Sequence, residues 1–145
     1  MKYFGIAFLC LGLITGCGQA SQQKDSQQKR QIAGTIVPSD EGQRLVGYKD
    51  GDLCPEIYNT GSYSDLATGG SVKVKNAKGE IIAIGKLTNG KVKPFQGALY
   101  CFKEFQVSDV PDSDFYSISV GTRNDLTFSR DELEKKNWSL ELVIK

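Results

Sequence analysis

The sequence predicts an all-β domain, a small β-sandwich of the immunoglobulin-like or a related kind, with one short helix before its last strand. Three observations carry that expectation. Short apolar–polar alternations recur between Gly-, Asn- and Asp-rich turns across residues 32–145. One helix-start signal of the form Ser-x-x-Glu stands near the C-terminus. Two cysteines, Cys54 and Cys101, lie 47 residues apart inside the same span.

Taken in order, Ile32 to Val37 (IAGTIV) is rich in β-branched residues and stops at Pro38, the mark of a first strand. Arg44 to Tyr48 is expected to continue it or pair with it after the turn at 39–42. Asp50 to Gly70 is long, irregular and full of turn formers, including Gly51, Pro55, Asn59, Gly61, Gly69 and Gly70. Loops of that length are functional or disordered, and Cys54 within this one argues for order. Ser71 to Lys75 alternates with Val72 and Val74 inward, and Glu80 to Leu87 returns after the turn at 76–79, so the two predict a β-hairpin. Asn89-Gly90 is expected to mark the next turn.

Ala98 to Val107 reads as a strand covered on both sides. Leu99, Cys101, Phe105 and Val107 share one face, while Tyr100 and Phe102 occupy the other. Phe115 to Val120 alternates again, aligning Tyr116, Ile118 and Val120. Ser129 and Glu132 form a capping box that starts a helix from Arg130 to about Lys136, which Asn137 closes. Trp138 to Ile144 is the last strand, with Trp138, Leu140, Leu142 and Ile144 inward.

Ahead of the domain, Lys2 precedes an uncharged apolar run of about 14 residues, short of the roughly 20 that a membrane span takes. The run closes on Leu13-Ile14-Thr15-Gly16-Cys17, which resembles the lipobox of bacterial lipoproteins. That resemblance implies a signal peptide over residues 1–16, cleaved to leave a lipid-modified Cys17. Cys10 would leave with the signal. Residues 17–31 then form a polar tether of Gln, Ser and Lys with nothing to bury. As a flexible coil the spacer spans roughly 20 Å. The expected location is extracytoplasmic and lipid-anchored, in the cell membrane or the outer membrane. Gly18 rather than Asp after the cysteine favours the outer membrane in a host that has one.

Without Lys2 the 18 basic residues fall to 17, equal to the 17 acidic ones, so nothing draws in a phosphate backbone and no nucleic-acid partner is expected. An even pair of cysteines outside the cytoplasm is most simply a disulfide between Cys54 and Cys101; a redox pair or metal site would ask for a CxxC or histidines. The chain has no histidine, which removes Ser-His-Asp and Cys-His nucleophiles and His-ligated zinc. No phosphate-loop or dinucleotide fingerprint is present. No enzyme activity, metal or cofactor is therefore expected.

The candidate site is a binding loop with Tyr48, Tyr58, Tyr63 and Asp65, because tyrosines among Gly, Asn and Ser give contact area at little entropic cost. Weaker candidates are Asp50, Asp52 and Asp65 as calcium ligands, Asp65 with Glu104 as a hydrolytic carboxylate pair, and Arg123 with Asp125 as a turn ion pair.

One broader likeness spans Cys54 to Leu142. Its landmarks are Gly61-x-Tyr63-Ser64-Asp65, Cys101-Phe102, Phe115-Tyr116, Val120-Gly121-x-Arg123, Ser129-x-x-Glu132-Leu133 and Trp138. Their order resembles a group of uncharacterised bacterial secreted or membrane-anchored β-domains, many with a similar cysteine pair. The resemblance implies fold and export, with no catalytic residue to carry over. Thr122 stands where histidine is common in that group. The function expected is a binding or interaction module at the cell envelope, with a protein or glycan ligand. A carboxylate-based hydrolase of envelope glycans and a purely structural envelope component are the alternatives.

Overall fold

The computed structural model describes residues 29–38, 43–56 and 61–144. The expected signal peptide, the expected lipobox and nearly all of the expected tether lie outside them. The described residues are mostly β, 54% strand and 12% helix. Its strands are β1 (Arg30–Pro38), β2 (Ser71–Lys75), β3 (Ile81–Phe95), β4 (Ala98–Val110), β5 (Phe115–Val120), β6 (Leu126–Ser129) and β7 (Ser139–Ile144). A 3-10 turn covers Gly61–Leu66, and helix α1 covers Arg130–Lys135.

All seven strands belong to one mixed sheet in the order β6-β5-β2-β3-β4-β1-β7, curled into a half-barrel. Every neighbouring pair is antiparallel except β1 and β7, which run parallel. One sheet folded over its own core thus takes the place of the two separate sheets of a sandwich. Glycines inside strands permit the curl. A Cβ on Gly34 would collide with the Leu140 carbonyl oxygen, and one on Gly90 with that of Phe102.

The concave face holds the core expected from the alternations. Ile32, Ile36, Val72, Val74, Val107, Tyr116, Ile118, Leu140 and Leu142 are all buried there. Two short helical pieces plug the ends. Leu133 of α1 closes the end where β1 begins, and Leu66 of the 3-10 turn closes the other; neither is exposed at all. On the convex side Val37, Tyr100 and Phe102 form a second cluster beneath Phe95 and Ala98, so both faces of β4 are covered as its composition foretells.

At the β1 end the chain is tied by charge. Arg30 lies 3.4 Å from Asp112 and stacks 4.7 Å over Trp138, while Arg130 contacts the same Asp112 at 2.9 Å. The Ser113 N–H donates to the Tyr116 hydroxyl oxygen at 2.8 Å. The capping box forms as expected, with the Ser129 N–H donating to the Glu132 carboxylate and the Glu132 N–H to the Ser129 hydroxyl oxygen. Asn137 (φ 51°) closes the helix.

Two expectations are corrected. Asn89-Gly90 is not a turn but an irregularity inside β3, between Thr88 and Lys91. The Asn89 side chain accepts from the Gly90 N–H, and the Gly90 carbonyl accepts from the Cys54 N–H, so both residues serve lateral bonds instead of reversing the chain. The reversal comes at Gln96-Gly97, whose φ angles of 49° and 81° suit a tight two-residue hairpin. Arg44 to Tyr48 is not a strand either. Its backbone tie to the sheet is the Leu45 N–H to the Leu99 carbonyl, and Val46 stands 90% exposed.

Gly90→Ala is expected to cost at least about 2 kcal/mol, because the added methyl meets backbone that cannot yield. Denaturant titration of the two chains measures the loss, and an unchanged midpoint would show that the close approach is dispensable.

Candidate functional site

The stretch from Asp50 to Gly70 divides into two differently held halves. Its first half pairs with the edge of β3. The Gly51 N–H donates to the Val92 carbonyl at 2.9 Å, the Val92 N–H to the Asp52 carbonyl at 2.8 Å, and the Cys54 N–H to the Gly90 carbonyl at 3.0 Å. The expected disulfide then joins Cys54 to Cys101, with Cα atoms 5.3 Å apart. Tyr48 and Leu53 project outward from this pinned segment, 37% and 68% exposed.

The second half is the 3-10 turn. Leu66 plugs the core, which turns Tyr63 and Asp65 toward the loop between β5 and β6. There Arg123 lies 3.1 Å from Asp65, donates to the Ser62 carbonyl at 3.1 Å, and stacks 4.7 Å over the Tyr63 ring. Tyr63, Asp65 and Arg123 therefore form one unit. Tyr48 stands on the other half, and Tyr58 lies outside the described residues.

The expected Arg123–Asp125 pair is replaced. Asp125 lies on the convex face, where the Lys75 ammonium reaches it at 2.8 Å and holds its carboxyl below the usual carboxylate range. Both residues lie in the loop between β5 and β6, which turns Arg123 toward the 3-10 turn and Asp125 toward Lys75. The calcium candidates disperse as well. Asp52 accepts from the Lys49 N–H at 2.8 Å, Asp50 sits in an exposed turn, and Asp65 is engaged by Arg123. Among the described residues no group of three potential ligands gathers for a metal ion. Glu104 projects from the exposed face of β4 while Asp65 is committed to Arg123, so the two do not act as a carboxylate pair.

Beside the Tyr63–Asp65–Arg123 unit, an open cleft of about 340 Å³ is lined by Thr122, Arg123, Asn124, Leu126, Val143 and Ile144. It lies between the loop that enters β6 and the end of β7, the two edge strands of the sheet. Its walls mix a cation, an amide and aliphatic side chains, a lining suited to contact.

Lys103 is the residue that sequence reasoning missed. It lies on the inner face of β4 between Cys101 and Phe105, only 1% exposed, so the same alternation that identified its neighbours already placed it there. Its ammonium reaches Thr68 Oγ1 at 3.3 Å and the Asn89 side-chain oxygen at 3.4 Å. Burial lowers its pKa, and the negative charge of Glu56 works against that shift.

No family model, curated protein or solved structure matches this chain. The resemblance to secreted β-domains therefore rests on its sequence landmarks alone and assigns no role to any residue of the site.

Two outcomes are expected here. Lys103 has a folded pKa below its unfolded value, so the unfolded chain binds more protons between the two. Stability should then rise with pH as the range below roughly 10.4 is crossed. Lys103→Met should flatten that rise and raise the melting temperature at neutral pH; melting curves across alkaline pH measure both. Asp65 and Arg123 are 15% and 19% exposed in their side chains. Asp65→Asn or Arg123→Gln should each cost about 1–3 kcal/mol, and a double-mutant cycle should return a coupling of about 1 kcal/mol, with additivity arguing against the pair.

Proposed function

We propose that this chain is an extracytoplasmic lipoprotein whose β-domain is a binding module held at the cell envelope by a lipid on Cys17. The observation that favours this reading is polarity within the fold. β1 starts at Arg30, where the tether would attach, and runs toward the end that carries the Tyr63–Asp65–Arg123 unit, the cleft and the segment with Tyr48. β4 runs the opposite way for 13 residues, a length of roughly 40 Å. A partner arriving from outside would therefore meet the tyrosine-bearing end first, with the lipid at the far side.

The pinned segment suits such a role. The disulfide and three backbone bonds hold it, so Tyr48 and Leu53 lose little freedom when a partner covers them. No step of bond making or breaking is part of this proposal. The partner is an envelope protein or glycan, and the membrane is reached through the lipid.

Cys17→Ser should abolish metabolic palmitate labelling and release the chain from membranes; continued labelling would overturn the anchor. The released chain, used as bait on envelope extract, should retain a partner that Tyr48→Ser with Tyr63→Ser no longer retains. A partner indifferent to both tyrosines would move the binding surface elsewhere.

A further inference from the structure

The β3–β4 ladder is interrupted at one place, and two reactive side chains meet there. Phe102 pairs with Lys91 and Glu104 with Thr88, so Lys103 stands opposite both Asn89 and Gly90. The Lys103 Nζ lies 3.4 Å from Asn89 Oδ1. The carbonyl carbon is one bond behind that oxygen, so Nζ is within roughly 4.6 Å of it at the farthest. An amine and a carboxamide this close are the two halves of an amide exchange. Fixed proximity replaces the high concentration that such a reaction otherwise needs.

The surroundings supply what the exchange requires. The Gly90 N–H donates to Asn89 Oδ1 at 3.1 Å, so a donor is in place for negative charge growing on that oxygen. Thr68 Oγ1, 3.3 Å from the Lys103 Nζ, helps to fix the nitrogen. Lys103 is 1% exposed, and burial favours its neutral, nucleophilic form. Glu56 is the charged group whose field acts on Lys103, and a carboxylate there can take the ammonium proton.

We infer that Lys103 and Asn89 join spontaneously in the folded chain, through an isopeptide bond that fastens β3 to β4. Glu56 takes one proton from the ammonium, and the freed lone pair attacks Asn89 Cγ. A second Nζ proton passes to Nδ2 as the Nζ–Cγ bond forms and the Cγ–Nδ2 bond breaks. Nδ2 leaves as ammonia, collects the first proton from Glu56 and departs as ammonium. The carboxylate is restored, and no oxidant, reductant or cofactor enters.

The bond crosses the stretch where the ladder is broken, two residues along β4 from Cys101. β4 then holds β3 and the Cys54 segment covalently, whether or not the chain carries a lipid. The Lys103 titration described above belongs to the chain as first folded, because bond formation removes the titrating group. The alkaline rise in stability should therefore fade as the bond accumulates.

Intact mass spectrometry of the purified chain, held folded at alkaline pH, should record the loss of one ammonia per chain. Trypsin should then leave a branched peptide joining Lys103 to Asn89, with the cut after Lys103 lost. The rate should rise about 10-fold per pH unit while Lys103 is still mostly charged. Lys103→Met and Asn89→Ala should each keep their full mass, and Glu56→Gln should slow the loss at least about 10-fold. A parent chain whose mass never falls would overturn the bond. So would an ammonia loss that persists in Lys103→Met or leaves the cut after Lys103 intact, since that marks ring closure of Asn89 onto the Gly90 nitrogen. Glu56→Gln reacting at the parent rate would overturn the proton transfer assigned to Glu56.

Discussion

A sheet that curls over its own core leaves two openings through which water could reach the concave face, and closing them governs much of the rest. One leucine closes each opening, carried on a helical piece too short to be stable alone. Leu133 sits on the helix fixed by the Ser129–Glu132 capping box, and Leu66 on the 3-10 turn fixed by Asp65 and Arg123. Short helices gain most of their stability from tertiary packing. Each plug is therefore only as secure as the polar lock beside it. The distal lock is also the candidate site, so contact there bears directly on whether the core stays sealed.

The middle of the barrel depends on a different compromise. At the irregularity in β3, Gly90 lets β4 approach closely, its carbonyl receives the Cys54 N–H, and the Asn89 side chain receives the Lys103 ammonium. A buried ammonium is costly unless hydrogen-bonded, and here an amide and a hydroxyl oxygen offset part of that cost. The disulfide adds covalent closure of a 47-residue loop, which in the chain-entropy view disfavours the unfolded state by about 4 kcal/mol. Glycine, lysine and disulfide thus occupy one small region, each making the others' placement tolerable.

Much of the fold was legible because the strands face a single core. Val72 and Val74, then Tyr116, Ile118 and Val120, alternate cleanly, and period-two patterning needs no knowledge of partners. The capping box was equally plain, since its bonds are local. Pairings across distance were not legible. Asn89-Gly90 carries the chemistry of a turn, yet lateral partners brought by Cys54 and Lys103 claim its polar groups. Arg123 pairs with Asp65 rather than with Asp125 because the loop between β5 and β6 turns it toward Ser62 and Tyr63 of the distant 3-10 turn. Whether the layers were two sheets or one was also hidden, as alternation is identical in both. Of the candidate loop, Tyr63 and Asp65 converge while Tyr48 belongs to a separately pinned segment. Only placement in space could divide them.

The position of β1 has a consequence for the order in which the molecule assembles. It sits between β4 and β7, so its neighbours are made long after it, and its parallel partner lies roughly 100 residues downstream. A chain released from its N-terminus onward presents β1 first, with neither edge to pair. Local hairpins such as β3–β4 can form early, while β1 must wait for the C-terminal strand to pass. The earliest strand made is the latest to be seated, which commits the domain to folding as a whole once its last residues are free.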